Sequence, residues 1–132
     1  MKRKEWLRFT PSILWGMTVA ILMLLPQDSF SESKFLSYDK LAHIGVFGLL
    51  SFLFLIGTQK NKYFLGSKMR KWVKPLIICI LYSTILELLQ NFSPGRAVDF
   101  YDFIANVVGA ISGVILFYIF KKNNLVISKL IL

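Results

Sequence analysis

The stretch AVDFYDFIANVVGAISGVILFYIFKK, residues 97–122, decides the fold of this chain. Two aspartates lie near its start, at positions 99 and 102, and two lysines end it. No charged residue lies at positions 103–120. An uncharged apolar run of this length is what a helix needs to cross the hydrocarbon core of a bilayer. The stretch therefore predicts a transmembrane helix over about 102–120.

Three earlier apolar segments have the same character, at about 9–25, 40–57 and 73–89. The composition agrees with them, because 55% of the residues are hydrophobic and the mean hydropathy is +0.59. We therefore expect an all-α fold, a polytopic membrane bundle of four transmembrane helices. A single domain over 9–120 would lie between a cytoplasmic N-terminus, 1–8, and a cytoplasmic tail, 121–132. The first segment resembles a signal peptide but favours an uncleaved anchor, because no good cleavage site follows it.

The charges between these segments predict the orientation of the bundle. The N-terminus, the connection at 57–74 and the tail hold 13 of the 16 basic residues, whereas only Lys34, Lys40 and Arg96 fall elsewhere. Six of the seven acidic residues show the opposite distribution. Lys and Arg concentrate in cytoplasmic loops, so both termini are predicted to lie inside. The same distribution explains the net charge of +9 by attraction to anionic lipids, which argues against nucleic acid as a partner.

A row of small residues in the fourth segment predicts close helix packing. Ala105, Gly109 and Gly113 recur at four-residue spacing and let another helix approach closely in lipid. Two interpretations remain open: packing within the bundle, and a homo-oligomer formed through this face. The single cysteine, Cys79, lies in an apolar segment and is interpreted as a small hydrophobic residue.

Polar residues collect near the predicted outer ends of three helices. They form pairs that share a helical face, namely Asp39 with His43, Glu87 with Gln90, and Asp102 with Asn106, while Arg96 and Asp99 lie in the short connection between the last two segments. Ionisable groups at membrane depth are costly and usually face a cavity or one another. The convergence therefore predicts a site, although Asp39 and Asp102 also suit helix N-caps, and Lys40 suits a side chain that reaches for the interface.

The order and spacing of these residues resemble those of the VanZ-like family of small bacterial membrane proteins. The matching patterns are D-K-x-x-H-x-x-x-F at 39–47, E-x-x-Q at 87–90 and R-x-x-D-x-x-D-x-x-x-N-x-x-G at 96–109. The resemblance implies a helical domain in the bacterial cytoplasmic membrane with an outward polar cluster. It also implies a role in the cell envelope, linked through the family to resistance against teicoplanin, a lipid-tailed glycopeptide.

Three classes of function fit the sequence. The first is a protein that binds a lipid-linked cell-wall precursor or a lipoglycopeptide at the outer leaflet, through Asp39, Lys40, Gln90, Arg96 and Asn106. The second is an intramembrane acid/base enzyme acting on a lipid-linked intermediate, with His43, Glu87, Asp99 and Asp102 as candidate catalytic groups. The third is a transporter or a structural subunit. A single histidine and the lack of an HExxH pairing do not favour a metal site, so no metal and no cofactor is predicted.

Overall fold

The computed structural model describes residues 6–26, 32–59 and 70–123, and within these ranges all regular secondary structure is helical. A short 3-10 turn, Leu7–Phe9, leads into α1, Thr10–Leu24, which is followed by α2, Glu32–Thr58, α3, Arg70–Gln90, and α4, Phe100–Lys122. Each helix contains a stretch long and apolar enough to cross a membrane: Leu7–Leu24, Tyr38–Thr58, Lys71–Gln90 and Phe100–Lys122. The predicted all-α class and the four apolar spans are thereby confirmed. Most of the basic connection at 57–74, the first five residues and the tail beyond residue 123 lie outside the described residues.

The starts of α2 and α4, the helices that begin beside polar residues, differ from the expected positions. α2 begins at Glu32 rather than near residue 40, because the sequence at 32–38 contains neither Gly nor Pro and nothing in it stops a helix. α4 begins at Phe100, because Asp99 is extended and its side chain accepts a hydrogen bond from the backbone N–H of Tyr101. Asp99 is therefore the N-cap of α4, and the interpretation of Asp102 as the cap is wrong. Asp39 lies within α2 and is not a cap either.

Glycines bring α2 and α4 into backbone contact. A Cβ atom on Gly113 would overlap the carbonyl oxygen of Gly48, and one on Gly109 would overlap the backbone of Ile44. Ser51 adds a hydrogen bond across the same contact, from its hydroxyl to the carbonyl oxygen of Ala110 at 2.7 Å. The face formed by Ala105, Gly109 and Gly113 is thus filled by α2, as expected for packing within the bundle.

The remaining helices close around this pair. Val19 and Met23 of α1, Phe47 of α2 and Leu86 of α3 form one buried cluster with Cys79 and Ala110. Trp15 donates its indole N–H to the carbonyl oxygen of Val46 at 2.9 Å, and the hydroxyl of Tyr82 donates to that of Gly16 at 2.6 Å. Large apolar side chains cover the outside of all four helices, which is the surface expected of a bundle in a lipid bilayer. These contacts fix the relative heights of the helices and hence the position of the polar residues.

Candidate functional site

The polar residues gather at one end of the bundle, where α1 and α3 end and α2 and α4 begin. We call this the polar end. All nine sequence-predicted site residues lie there: Asp39, Lys40 and His43 on α2, Glu87 and Gln90 on α3, Arg96 and Asp99 in the connection, and Asp102 and Asn106 on α4. Seven of their contacts join residues from different parts of the fold, as described below. The polar end is therefore a contact region between all four helices.

The connection between α3 and α4 makes a tight turn that reaches α1. The N–H of Arg96 donates to the carbonyl oxygen of Ser93 at 3.1 Å, and Gly95 has a φ of 73°. With Pro94 before that glycine, the geometry is that of a type II turn, which needs a positive φ at its third position. The turn places Ser93 and Arg96 beside the last residues of α1.

Three side chains from this region satisfy the carbonyl groups at the end of α1. Gln90 donates to Met23 at 3.1 Å, Ser93 to Leu24 at 2.6 Å, and the Nε of Arg96 to Leu25 at 3.3 Å. The last carbonyls of a helix have no intrahelical partner and must find one elsewhere. Sequence reasoning missed Ser93, although the three-residue spacing of positions 90, 93 and 96 was a signal for it. Gln90 and Arg96, predicted as ligand-binding residues, thus also cap α1.

Lys40 joins α2 to α4 through two ion pairs. Its Nζ lies 2.8 Å from Oδ1 of Asp102 and 3.2 Å from Oδ2 of Asp99. Asp102 is buried, whereas the side chains of Lys40 and Asp99 are about half exposed. The pKa of Asp99 is lowered, first by the hydrogen bond from the N–H of Tyr101 and then by Lys40, so this carboxylate stays charged at neutral pH.

His43 occupies the centre of the polar end and is only 5% exposed. Its Nδ1 lies 2.7 Å from Oδ1 of Asn106, which is fully buried. Its Nε2 faces two carboxylates, with Oδ1 of Asp39 at 3.7 Å and Oδ2 of Asp102 at 3.9 Å. One ligand atom from each of Asp39, His43 and Asp102 lies within 4.8 Å of the others, so these three residues are close enough to hold a metal ion.

Glu87 approaches this centre from α3. It is 2% exposed, and its Oε1 accepts the backbone N–H of Asp99 at 3.1 Å. Its Oε2 and the Nδ2 of Asn106 are buried and have no hydrogen-bond partner among the residues that the structure describes. A buried polar atom without a partner is costly, and in a site it marks a place for a ligand or a water molecule.

A cavity of about 100 Å³ opens beside His43, between α1 and α2. Apolar side chains form its walls, and three polar residues border it: Asp39, His43 and Arg96. This volume holds a few water molecules or a small polar group, but not an entire lipid. The arrangement therefore suits a charged group attached to an apolar chain.

A protein-family model described as VanZ/LLP1 matches residues 5–121, which is nearly the whole chain and includes every residue of the polar end. No curated protein and no solved structure matches the chain.

Proposed function

The chain belongs to the VanZ/LLP1 family, and from this premise we propose that it is a cell-envelope membrane protein that binds the charged part of a lipid-linked or lipid-tailed ligand at its polar end. The observation that carries the proposal is the cavity between α1 and α2, because its apolar walls meet a polar border of Asp39, His43 and Arg96. A guanidinium group recognises phosphate and carboxylate groups, which such ligands carry.

The proposal places the polar end at the outer leaflet of the bacterial cytoplasmic membrane. Support comes from the charges at the two ends of the bundle. The basic residues described at the opposite end are Arg8, Lys71, Lys74, Lys121 and Lys122, and no acidic side chain is described there. The positive-inside rule assigns that end to the cytoplasm.

A susceptibility test examines this function in cells. The chain is expressed in a glycopeptide-sensitive Gram-positive host, and growth is compared in teicoplanin and in vancomycin. We expect protection from teicoplanin, whose lipid tail matches the proposed ligand, and none from vancomycin. Arg96→Ala should abolish the protection, and Lys122→Ala, which removes an exposed cation at the opposite end, should preserve it.

Equal amounts of each variant in the membrane are verified by immunoblotting. Absence of protection by the well-inserted wild-type chain would contradict the role in teicoplanin resistance. Loss of protection in both variants would contradict a specific role for Arg96.

A second candidate function is an intramembrane acid/base enzyme acting on a lipid-linked cell-wall intermediate. One observation favours it: Oδ1 of Asn106 lies 2.7 Å from Nδ1 of His43, which fixes the ring and leaves Nε2 as its basic nitrogen. Purified protein would be incubated with such an intermediate and its products followed by mass spectrometry. Turnover that disappears in His43→Gln would support the enzyme, and an unchanged intermediate would reject it.

A further inference from the structure

We propose that Asp39, His43 and Asp102 form a binding site for a divalent transition-metal ion of the Zn²⁺ class, with Nε2 of His43 and one carboxylate oxygen of each aspartate as ligands. The three ligand atoms lie within 4.8 Å of one another at the border of the cavity between α1 and α2. This inference goes beyond the proposed function and does not depend on it, because ion binding is measured without any lipid or glycopeptide.

The orientation of His43 is the first argument. Oδ1 of Asn106 is an acceptor, so the Nδ1 that lies 2.7 Å from it carries the proton and donates it. In the neutral ring, Nε2 then has a lone pair. That lone pair faces oxygens of Asp39 at 3.7 Å and Asp102 at 3.9 Å, which is too far for a hydrogen bond. Lone pairs that face one another across such a gap repel, and a cation between them would remove that repulsion.

The contacts behind the ligands are the second argument. A histidine that binds a metal usually donates its other ring N–H to an oxygen, and a carboxylate that binds a metal is usually held by a further hydrogen bond. Asn106 accepts from Nδ1 of His43, and Lys40 donates to Oδ1 of Asp102 at 2.8 Å. The other oxygen of Asp102, Oδ2, is the one that faces Nε2. Both ligands are therefore already oriented toward the same point.

The balance of charge is the third argument. Among the side chains that the structure describes at the polar end, four carboxylates face two cations: Asp39, Glu87, Asp99 and Asp102 against Lys40 and Arg96. The carboxylate groups therefore outnumber the cationic groups by two. An uncompensated charge is expensive in a buried place, and His43 and Asp102 are 5% and 8% exposed. A divalent cation would neutralise the excess.

The donor set indicates the kind of ion. Mg²⁺ and Ca²⁺ prefer oxygen ligands alone, whereas an imidazole nitrogen with two carboxylates suits Zn²⁺ and its neighbours. Metal–ligand bonds of roughly 2.0–2.2 Å would draw the three atoms together by a few tenths of an ångström each. Asp39 can follow, because its side chain is 25% exposed. Three protein ligands beside a cavity leave a coordination position for water or for a ligand.

Titration of the purified full-length protein with Co²⁺, a spectroscopic substitute for Zn²⁺, tests the site. The protein carries an affinity tag without histidine, and Co²⁺ binding is followed by visible absorbance and then reversed with Zn²⁺. We expect saturation at one ion per chain. Asp39→Asn, which replaces a ligand, should weaken binding at least about tenfold.

Asp99→Asn is the matched control. It removes the same charge from the same region, it keeps a residue that caps helices well, and Asp99 is not one of the proposed ligands. This variant should change the affinity for Co²⁺ by less than about threefold, because Asp99 would act on the ion only through its charge. The side chain of Asp99 is partly exposed, so solvent screens that charge. Circular dichroism verifies that both variants retain their helices.

Two results of the titration would overturn the site. One is the absence of saturable Co²⁺ binding to the wild type. The other is an equal loss of affinity in Asp39→Asn and Asp99→Asn. X-ray absorption of the Zn²⁺-loaded wild type provides a measurement that needs no variant: it should show a single imidazole, and its absence would also exclude the site.

Discussion

At the scale of single residues, the polar end depends on side chains that are fully buried and only partly satisfied. Asn106 and Glu87 each have one polar atom in a hydrogen bond and a second buried atom that has no partner within the described parts of the chain. A buried donor or acceptor without a partner costs about 1–3 kcal/mol. Removing the one hydrogen bond that Asn106 or Glu87 makes should therefore lower the stability of the protein measurably. The same residues offer the spare hydrogen-bonding atoms that a ligand needs.

Asn106→Leu should destabilise the protein by about 1–3 kcal/mol. Leucine has a similar size but offers no acceptor to His43, whose Nδ1–H would then be buried and unsatisfied. The measurement is unfolding of the purified protein in detergent, followed by circular dichroism.

Asn91→Leu makes the same chemical change at an exposed position just after α3. Its effect should stay within about 0.5 kcal/mol, as is usual for surface substitutions. Equal effects of the two substitutions would show that the hydrogen bond to His43 does not contribute to stability.

The types of residue in the site were visible in the sequence, but their pairing was not. Helical spacing placed Asp39 with His43 and Asp102 with Asn106 on common faces. That Lys40 would contact Asp99 and Asp102 depends on how far α2 and α4 approach each other, which no local pattern encodes.

At the scale of elements, the contact between α2 and α4 holds the two halves of the site together. Lys40, His43 and Asp39 lie on α2, and Asp102 and Asn106 lie on α4, so the ion pairs and the His43–Asn106 bond all need these two backbones to stay close. The glycines further along the same helices maintain that distance.

Gly113→Ala should destabilise the bundle by about 1–3 kcal/mol, the usual cost of overpacking. The new Cβ would overlap the carbonyl oxygen of Gly48, which is backbone and cannot rotate away. Because the added methyl group pushes α4 from α2, we also expect weaker binding of Co²⁺ if the metal site exists.

Gly45→Ala provides the control on α2, because a Cβ at that position meets no atom within 4 Å. Alanine is the better helix former, so stability should be unchanged or slightly higher. Unfolding in detergent measures the stability of both variants. If Gly113→Ala were as stable as the wild type, the tight contact between α2 and α4 would be refuted.

The ends of the helices were the least predictable elements. Pro26 lies just after the end of α1, and Pro94 with Gly95 lies in a turn, which are the positions that these residue types favour. The sequence suits Asp102 as well as Asp99 as the N-cap of α4, since both aspartates precede an apolar run and only the extended backbone at Asp99 distinguishes them. The early start of α2 had no signal, because residues 32–38 are polar enough for a loop and equally compatible with a helix.

At the scale of the whole molecule, the length and apolar character of the four segments were sufficient to predict the four-helix architecture. Long hydrophobic runs in a membrane protein indicate directly which segments lie in lipid. In lipid, only a helix or a closed barrel satisfies the hydrogen bonds of the backbone. The same sequence could not give the arrangement of the helices around the cavity between α1 and α2, because that depends on contacts such as Trp15 with Val46 and Tyr82 with Gly16.

The orientation of the molecule can be tested with the cysteine that it already contains. Cys79 is 3% exposed and lies within a membrane-spanning segment of α3, so a membrane-impermeant thiol reagent should not label the wild type. Phe92→Cys introduces an accessible thiol at the polar end, where Phe92 is 84% exposed, and Asn123→Cys introduces one just after α4 at the opposite end. With the polar end outside, intact cells should label only Phe92→Cys, because the cytoplasmic thiol is protected by the bilayer, and permeabilised cells should label both variants. Labelling of Asn123→Cys alone in intact cells would reverse the orientation and place the cavity on the cytoplasmic side, where an external glycopeptide does not reach it.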